Sequence, residues 1–239
     1  MIEIRGLVKA FGLLPVLRGL DLQIERGAFV ALLGPNGSGK TTLMRILAAL
    51  SKPTAGTVRI GGWELPGEAA AVRAQLGVVA HQPLLYDGLT ARENLNFYAE
   101  MYGLPRATRQ ARIDAVLERV GLLPRADDLV RTFSRGMQQR LAIARAILHD
   151  PHVLLFDEPY TGLDQDAGLM LDTLLRDIAA DGHTIIMTSH DLNRALALST
   201  HVAILSRGKI GYFGASEAIQ AAAFPALYAE VTGAASTRG

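Results

Sequence analysis

Ser134-Arg135-Gly136-Met137-Gln138-Gln139-Arg140 is a serine-glycine turn opening a long amphipathic run that ends near Leu148. It stands between Gly34-Pro35-Asn36-Gly37-Ser38-Gly39-Lys40-Thr41-Thr42 and Phe156-Asp157-Glu158-Pro159. Working outward, the glycine-rich stretch follows the continuous apolar run Ala28 to Leu33, which suits a buried strand, and leads into a helical pattern from Lys40 to Leu50. Strand, glycine loop, Lys-Thr and helix in that order make a phosphate cradle. Glycines let backbone N–H groups turn inward, and the helix start adds partial positive charge. Lys40 is placed to reach β- and γ-phosphates, and the Thr41 hydroxyl to meet Mg²⁺. In the other direction, the apolar strand Val153 to Phe156 ends in two adjacent acids, costly to bury unless they are paired or face a cation.

The rest of the chain alternates strands and helices. Met1 to Arg5 runs into an alternating strand pattern, and Leu20, Leu22 and Ile24 alternate with polar residues. Ile113, Val116, Leu117 and Val120 keep helical spacing, and Arg135 to Leu148 carries Leu141, Ile143, Ala144 and Ile147. Between about Leu84 and Gln139 there is little strand signal, so this stretch reads as an inserted helical subdomain. Thr184 to Met187 is a second β-rich run with polar residues after it. Function at the carboxyl ends of such strands fits an α/β core with a mostly parallel sheet. After Gly214 the alanine-rich tail reads as helical, with a loose Gly-Ala-Ala-Ser-Thr-Arg-Gly end.

Composition narrows the classes. With 239 residues, 49% of them apolar, the chain can bury a sizeable core as one domain with a subdomain. A formal charge of +1 leaves no broad basic footprint, so nucleic acid is not an expected partner. No cysteine is present, which excludes disulfides and thiolate metal sites. The N-terminus lacks the apolar core of a secretory signal, and no apolar run reaches the roughly 18 to 20 residues that span a bilayer. The expected location is the cytoplasm, with any membrane contact made through a partner.

The ordered set of phosphate loop, serine-glycine turn and Leu154-Leu155-Phe156-Asp157-Glu158-Pro159 resembles the ATP-binding cassette (ABC) family, from about Ile2 to Gly214. The resemblance implies a P-loop core at about 1–83 and 140–214, an N-terminal antiparallel β region, a helical subdomain at about 84–139 and a helical tail at about 215–239. It implies ATP and Mg²⁺ as ligands. Asp157 would hold Mg²⁺ through water, Glu158 would act as general base on the attacking water, and His190 would contact the γ-phosphate. Gln82 would link Mg²⁺ and water to the helical subdomain, and Phe11 would stack on adenine without a phenol hydrogen bond. Ser134 and Gly136 match the family's Leu-Ser-Gly-Gly-Gln signature, from which Phe133, Arg135 and Met137 depart.

In the family that turn faces the γ-phosphate held by a second protomer in a head-to-tail dimer, homomeric or heteromeric, and Asp164 resembles the loop crossing the contact. By the residues alone, Ser134 can be an ordinary helix cap, a reading that leaves the Gln138-Gln139-Arg140 continuation and the Asp-Glu strand close behind unaccounted for. Phe11 could instead pack the first strand pair, and the histidines at 81, 149, 152, 183 and 201 read as structural. The segment Tyr86 to Tyr102, with Leu89, Phe97, Tyr98 and Met101, is a candidate docking groove for an integral membrane permease subunit, core packing being the alternative.

For cargo, His81-Gln82-Pro83, Glu93 to Tyr98 and Phe133 to Met137 resemble the haem-exporter ATPases of cytochrome c maturation. They also resemble ATPases of drug and other small-molecule exporters. A soluble cassette protein acting on ribosomes or DNA is the reading from another class, against which stand the single cassette and the missing coiled coil.

Overall fold

Strands with alternating burial build one sheet, and strands buried along most of their length build the body of the other, which one half-exposed strand edges. The computed structural model describes residues 1–80 and 82–233; the readings made for His81 and for the chain end after Gly233 lie outside them. The first sheet is antiparallel, in the order β2 (Leu14–Ile24), β1 (Ile2–Phe11), β4 (Ala55–Ile60), β5 (Trp63–Leu65). Its buried face carries Ile2, Ile4, Leu20, Leu22, Ile24, Val58 and Ile60. The outer face is wet, as the alternation over Leu20 to Ile24 predicts.

The second sheet runs β10 (Lys209–Ala215), β9 (His201–Ser206), β3 (Phe29–Leu33), β8 (Thr184–Thr188), β7 (Val153–Asp157), β6 (Leu76–Val79). All pairs are parallel except β10 with β9. Every residue of β3 and β8 is buried, because helices and the first sheet cover both faces. One apolar cluster joins the first sheet, α1 (Lys40–Leu47) and one face of β3 and β7. A second joins α3 (Ala91–Met101), α4 (Arg106–Arg119), α5 (Arg135–Ile147) and α6 (Gln165–Ala180) to the opposite face, through Leu154, Phe156, Ile185 and Met187. A third packs α7 (Leu192–Leu198) and α8 (Phe224–Thr232) on β3, β9 and β10. The short α2 (Ala69–Ala74) joins β5 to β6.

Residues 84–139 therefore hold α3, α4 and the first turn of α5, and they share their core with the sheet. One boundary needs correction. The helical pattern extended to Leu50, but α1 ends at Leu47; Ala49 turns to φ 55° and Leu50 is exposed. No glycine or proline marks that end, and Ile46 to Leu50 is apolar throughout, so nothing in the spacing signals the turn.

The parallel register is what assembles the site. Leu32, Thr188 and Asp157 lie in one row across β3, β8 and β7, so the phosphate loop, His190 and Glu158 all leave the sheet from its carboxyl edge.

Candidate functional site

The Gly34 to Thr42 loop leaves β3 and enters α1 with two glycines under geometric demand. A Cβ on Gly34 would sit 2.2 Å from the Leu205 carbonyl oxygen, and Gly39 stands at φ 111° as the N-cap of α1. No side chain caps that helix start, so its first N–H groups are open to an anion. Pro35, Asn36 and Gly37 are exposed along the rim. The Ser38 hydroxyl is buried in the loop with no hydrogen-bond partner among the described residues.

Lys40 is buried and donates to the Gly34 carbonyl at 2.7 Å and the Pro35 carbonyl at 3.2 Å. Desolvation by burial lowers its pKa, while the nearby carboxylates of Glu158 and Asp157 act in the opposite direction. Thr41 is exposed and Thr42 half-buried beside it.

At the end of β7, Asp157 accepts a hydrogen bond from the Thr188 hydroxyl at 2.8 Å. Glu158 takes φ 51°, an unusual backbone for a residue with a side chain. Its N–H donates to the Thr188 hydroxyl oxygen at 2.8 Å, and its Oε1 lies 2.7 Å from Nε2 of His190. Glu158, His190, Thr188, Tyr160 and Thr161 line a cavity of about 190 Å³. Tyr160 donates to Asp172, which also pairs with Arg194 at 3.0 Å; burial and that carboxylate push the phenol pKa up. The network braces the segment after Glu158 against α6 and α7.

Thr41, Asp157 and Gln82 offer the hard oxygens that Mg²⁺ prefers. Among the described residues no cluster of three or more His, Cys, Asp or Glu could hold a metal unaided. A magnesium ion held by those oxygens would complete its coordination with water and phosphate. Gln82 is exposed beyond the end of β6, in the segment that includes Leu84 at φ 52°. The Leu84 carbonyl accepts from Tyr98 Oη at 2.6 Å and from Arg145 Nη1 at 3.1 Å. Arg145, buried on α5, also donates to the Val78 carbonyl at 2.6 Å and lies 5.1 Å from the Tyr98 ring centre. No carboxylate pairs with it among the described residues.

Phe11 ends β1 and is 57% exposed, with Lys9 Nζ 4.9 Å from its ring centre. Ser134 is the N-cap of α5, its hydroxyl accepting from the Met137 N–H at 3.3 Å. Asp164 caps α6 by accepting from Ala167 N–H at 2.8 Å. A Cβ on Gly136 would meet Ala167 at 2.9 Å, which brings the signature turn against the start of α6. Within one chain the structure thus brings together Lys40, Asp157, Glu158 and His190, and holds Ser134, Gly136 and Asp164 as a second group.

Among the other histidines, His149 Nε2 meets the Leu76 carbonyl at 3.0 Å, His183 Nδ1 meets the Pro151 carbonyl at 2.6 Å, and His201 stacks on Phe213. His152 is exposed. In the 86–102 segment, Tyr86, Phe97, Met101 and Tyr102 are exposed, whereas Tyr98 is partly buried against the core. Thr188, Arg145 and Tyr160 were not singled out by sequence: a threonine in a β-rich run and an arginine in a helix look ordinary until their partners are known. No helix of the described residues is long and apolar enough to cross a membrane.

Comparison with known proteins adds three findings. The family described as ABC transporter matches residues 17–161, more than half of the chain. The Nod factor export ATP-binding protein I of Ralstonia nicotianae is 39% identical over 209 residues, which cover 87% of this chain; the chain spans only 65% of that relative's length. Among solved structures, an ATP binding subunit of an ABC transporter superposes with a TM-score of 0.86 at 30% identity, covering 97% of this chain and 99% of its own. A dimeric ATP-binding cassette in a post-hydrolysis state bound to ADP and Pi superposes with a TM-score of 0.81 at 29% identity, covering 90% and 99%.

Proposed function

Because the chain belongs to the ABC transporter family, as its ATP-binding subunit, we propose that it hydrolyses ATP and couples dimer closure to transport through a separate membrane subunit. The observation that carries the reading is the Glu158–His190 pair at 2.7 Å, set at the strand edge that also bears Asp157 and the phosphate loop. Glu158 takes the proton of the attacking water as general base. His190 orients that carboxylate and contacts the γ-phosphate. Lys40 leaves the carbonyls of Gly34 and Pro35 to meet the phosphates, a step helped by its existing desolvation. Bound Mg²⁺, held by Thr41, Asp157 through water and Gln82, would neutralise phosphate oxygens. Phe11 offers its exposed face to adenine.

Ser134, Gly136 and Asp164 act on the ATP of a second protomer, in a head-to-tail homodimer or heterodimer. Phosphates between Lys40 of one protomer and the signature helix start of the other favour closure, and phosphate release lets the halves part. The helical subdomain, at about 84–139, carries the motion to the membrane. Its exposed Tyr86, Phe97, Met101 and Tyr102 form the docking face for an integral membrane permease, which holds the protein at the cytoplasmic side.

The cargo reading that gains most support is a small-molecule exporter, since the Ralstonia relative is named for export. Haem export for cytochrome c maturation is the second reading, resting on His81-Gln82-Pro83, Glu93 to Tyr98 and Phe133 to Met137. The purified protein is expected to release phosphate from ATP and to co-purify with an integral membrane subunit. Co-purification with ribosomes or DNA would overturn the transport reading. Loss of c-type haem on stained gels of a deletion strain would promote haem export, and normal c-type cytochromes would dismiss it.

A further inference from the structure

We propose that Thr188 is a positioning residue that sets the geometry of both acids at the end of β7. The inference rests on the ATPase reading of the site. Thr188 is the last residue of β8, 1% exposed, and the parallel register puts it directly beside Asp157. Its hydroxyl has one proton to give. Asp157 Oδ1 at 2.8 Å takes it, with the Phe156 carbonyl a poorer acceptor at 3.5 Å. That commitment leaves the oxygen lone pairs aimed at the Glu158 N–H, which reaches them at 2.8 Å.

Glu158 needs such a hold. At φ 51° its backbone sits in a region that L side chains adopt at a cost, and such conformations persist only where the surroundings over-determine them. The chain meets this demand from both sides. Thr188 fixes the backbone N–H, and His190 meets the carboxylate at 2.7 Å. Both residues come from the same strand end, two positions apart, so β8 grips Glu158 at its main chain and at its tip. Valine has the shape of threonine without the hydroxyl, and in its place Asp157 would lose a donor while the part-buried Glu158 N–H would lose its acceptor.

The test compares Thr188→Val with Thr188→Ser in the full chain, reading kcat and KM for ATP, affinity for a fluorescent ATP analogue, and hydrogen exchange at the Glu158 amide. Thr188→Val is expected to lower kcat by about 10- to 100-fold, the scale of misplacing a catalytic group by about 1 Å. KM and analogue affinity should stay within about threefold, because the phosphate loop does not use the hydroxyl. Exchange at the Glu158 amide should speed up at least tenfold, by the loss of its acceptor. Thr188→Ser, which keeps the hydroxyl, should restore most of kcat and the protection. A kcat for the valine variant within twofold of wild type, or an equal loss in the serine variant, would overturn the proposal. If the valine variant does not fold, Thr188→Ala carries the same comparison. A folded wild-type protein without ATPase activity would sink the reading of the site instead, and amide exchange would still decide the clamp.

Discussion

Two helices begin where an anion can sit, and they begin differently. α1 follows Gly39 with no side-chain cap, beside buried Lys40 and an orphaned Ser38 hydroxyl. α5 follows Ser134, whose hydroxyl already serves its own Met137 N–H, although at 3.3 Å. Around the first stand the two acids and His190 at the strand ends. Around the second stand the 162–167 turn and Ala167, against which Gly136 is packed. One helix start is thus built into a chemical site, while the other is finished as a piece of secondary structure and faces outward. Under the dimer reading proposed above, the difference teaches how a single chain can carry both halves of a composite site and still join neither half to the other.

The largest expected effect breaks the first region from within. Glu158→Gln should retain nucleotide binding and lose roughly 10² to 10⁴ in turnover, the range for a missing general base. Lys40→Ala should act instead on affinity, weakening nucleotide binding roughly 30-fold or more, because it removes a buried cation that meets phosphate in the ground state. Steady-state hydrolysis and equilibrium nucleotide titration separate the two. Near-normal turnover by the Glu158 variant would remove the carboxylate from the chemistry.

A second experiment sharpens the comparison by placing its two regions on different chains. Lys40→Ala and Ser134→Ala proteins, each inactive or impaired alone, should on mixing show more activity than the sum of the two, since a mixed dimer holds one intact pairing of loop and turn. No gain under conditions where mixed dimers form would mean that the signature turn serves its own chain.

The smallest effect tests how finished the second helix start is. Ser134→Ala should cost about 1 kcal/mol, the usual worth of a serine N-cap. In a chain of this size that is roughly 2–4 °C in thermal midpoint. A loss well beyond that would show the turn to be a structural keystone, and its exposure to a partner would then explain less of its composition.

How much of this could be read from sequence followed from how local each feature is. Gly34 to Thr42 was legible because strand, loop and helix are consecutive, and Asp157 and Glu158 because they close a continuous apolar run. Ser134 showed as a cap from its neighbours alone. Thr188 did not show, since its role depends on a strand neighbour 31 residues earlier in the chain. Nor did the left-handed backbone of Glu158, which no glycine or asparagine announces. The end of α1 was overrun for a related reason: its closing turn, with Leu50 N–H on the Arg45 carbonyl and Ala49 N–H on the Ile46 carbonyl, is built around a left-handed alanine where a glycine would have announced it. The order of the strands, and with it the row Leu32, Thr188, Asp157, is a property of the whole chain and has no local signature.

Arg145 has a mechanical consequence. A cation sealed away without a carboxylate among the described residues is an expensive bolt, yet it is the fastening between the signature helix, the Val78 carbonyl of β6 and the segment leading from Gln82. Carbonyl oxygens accept over a broad range of directions, and a guanidinium fans its donors in a plane. A joint made from such parts tolerates a small change of angle better than interlocked aliphatic side chains do. On the docking reading proposed above, Arg145 is a bearing rather than a weld between the exposed face of 86–102 and the strand ends that carry Asp157 and Glu158.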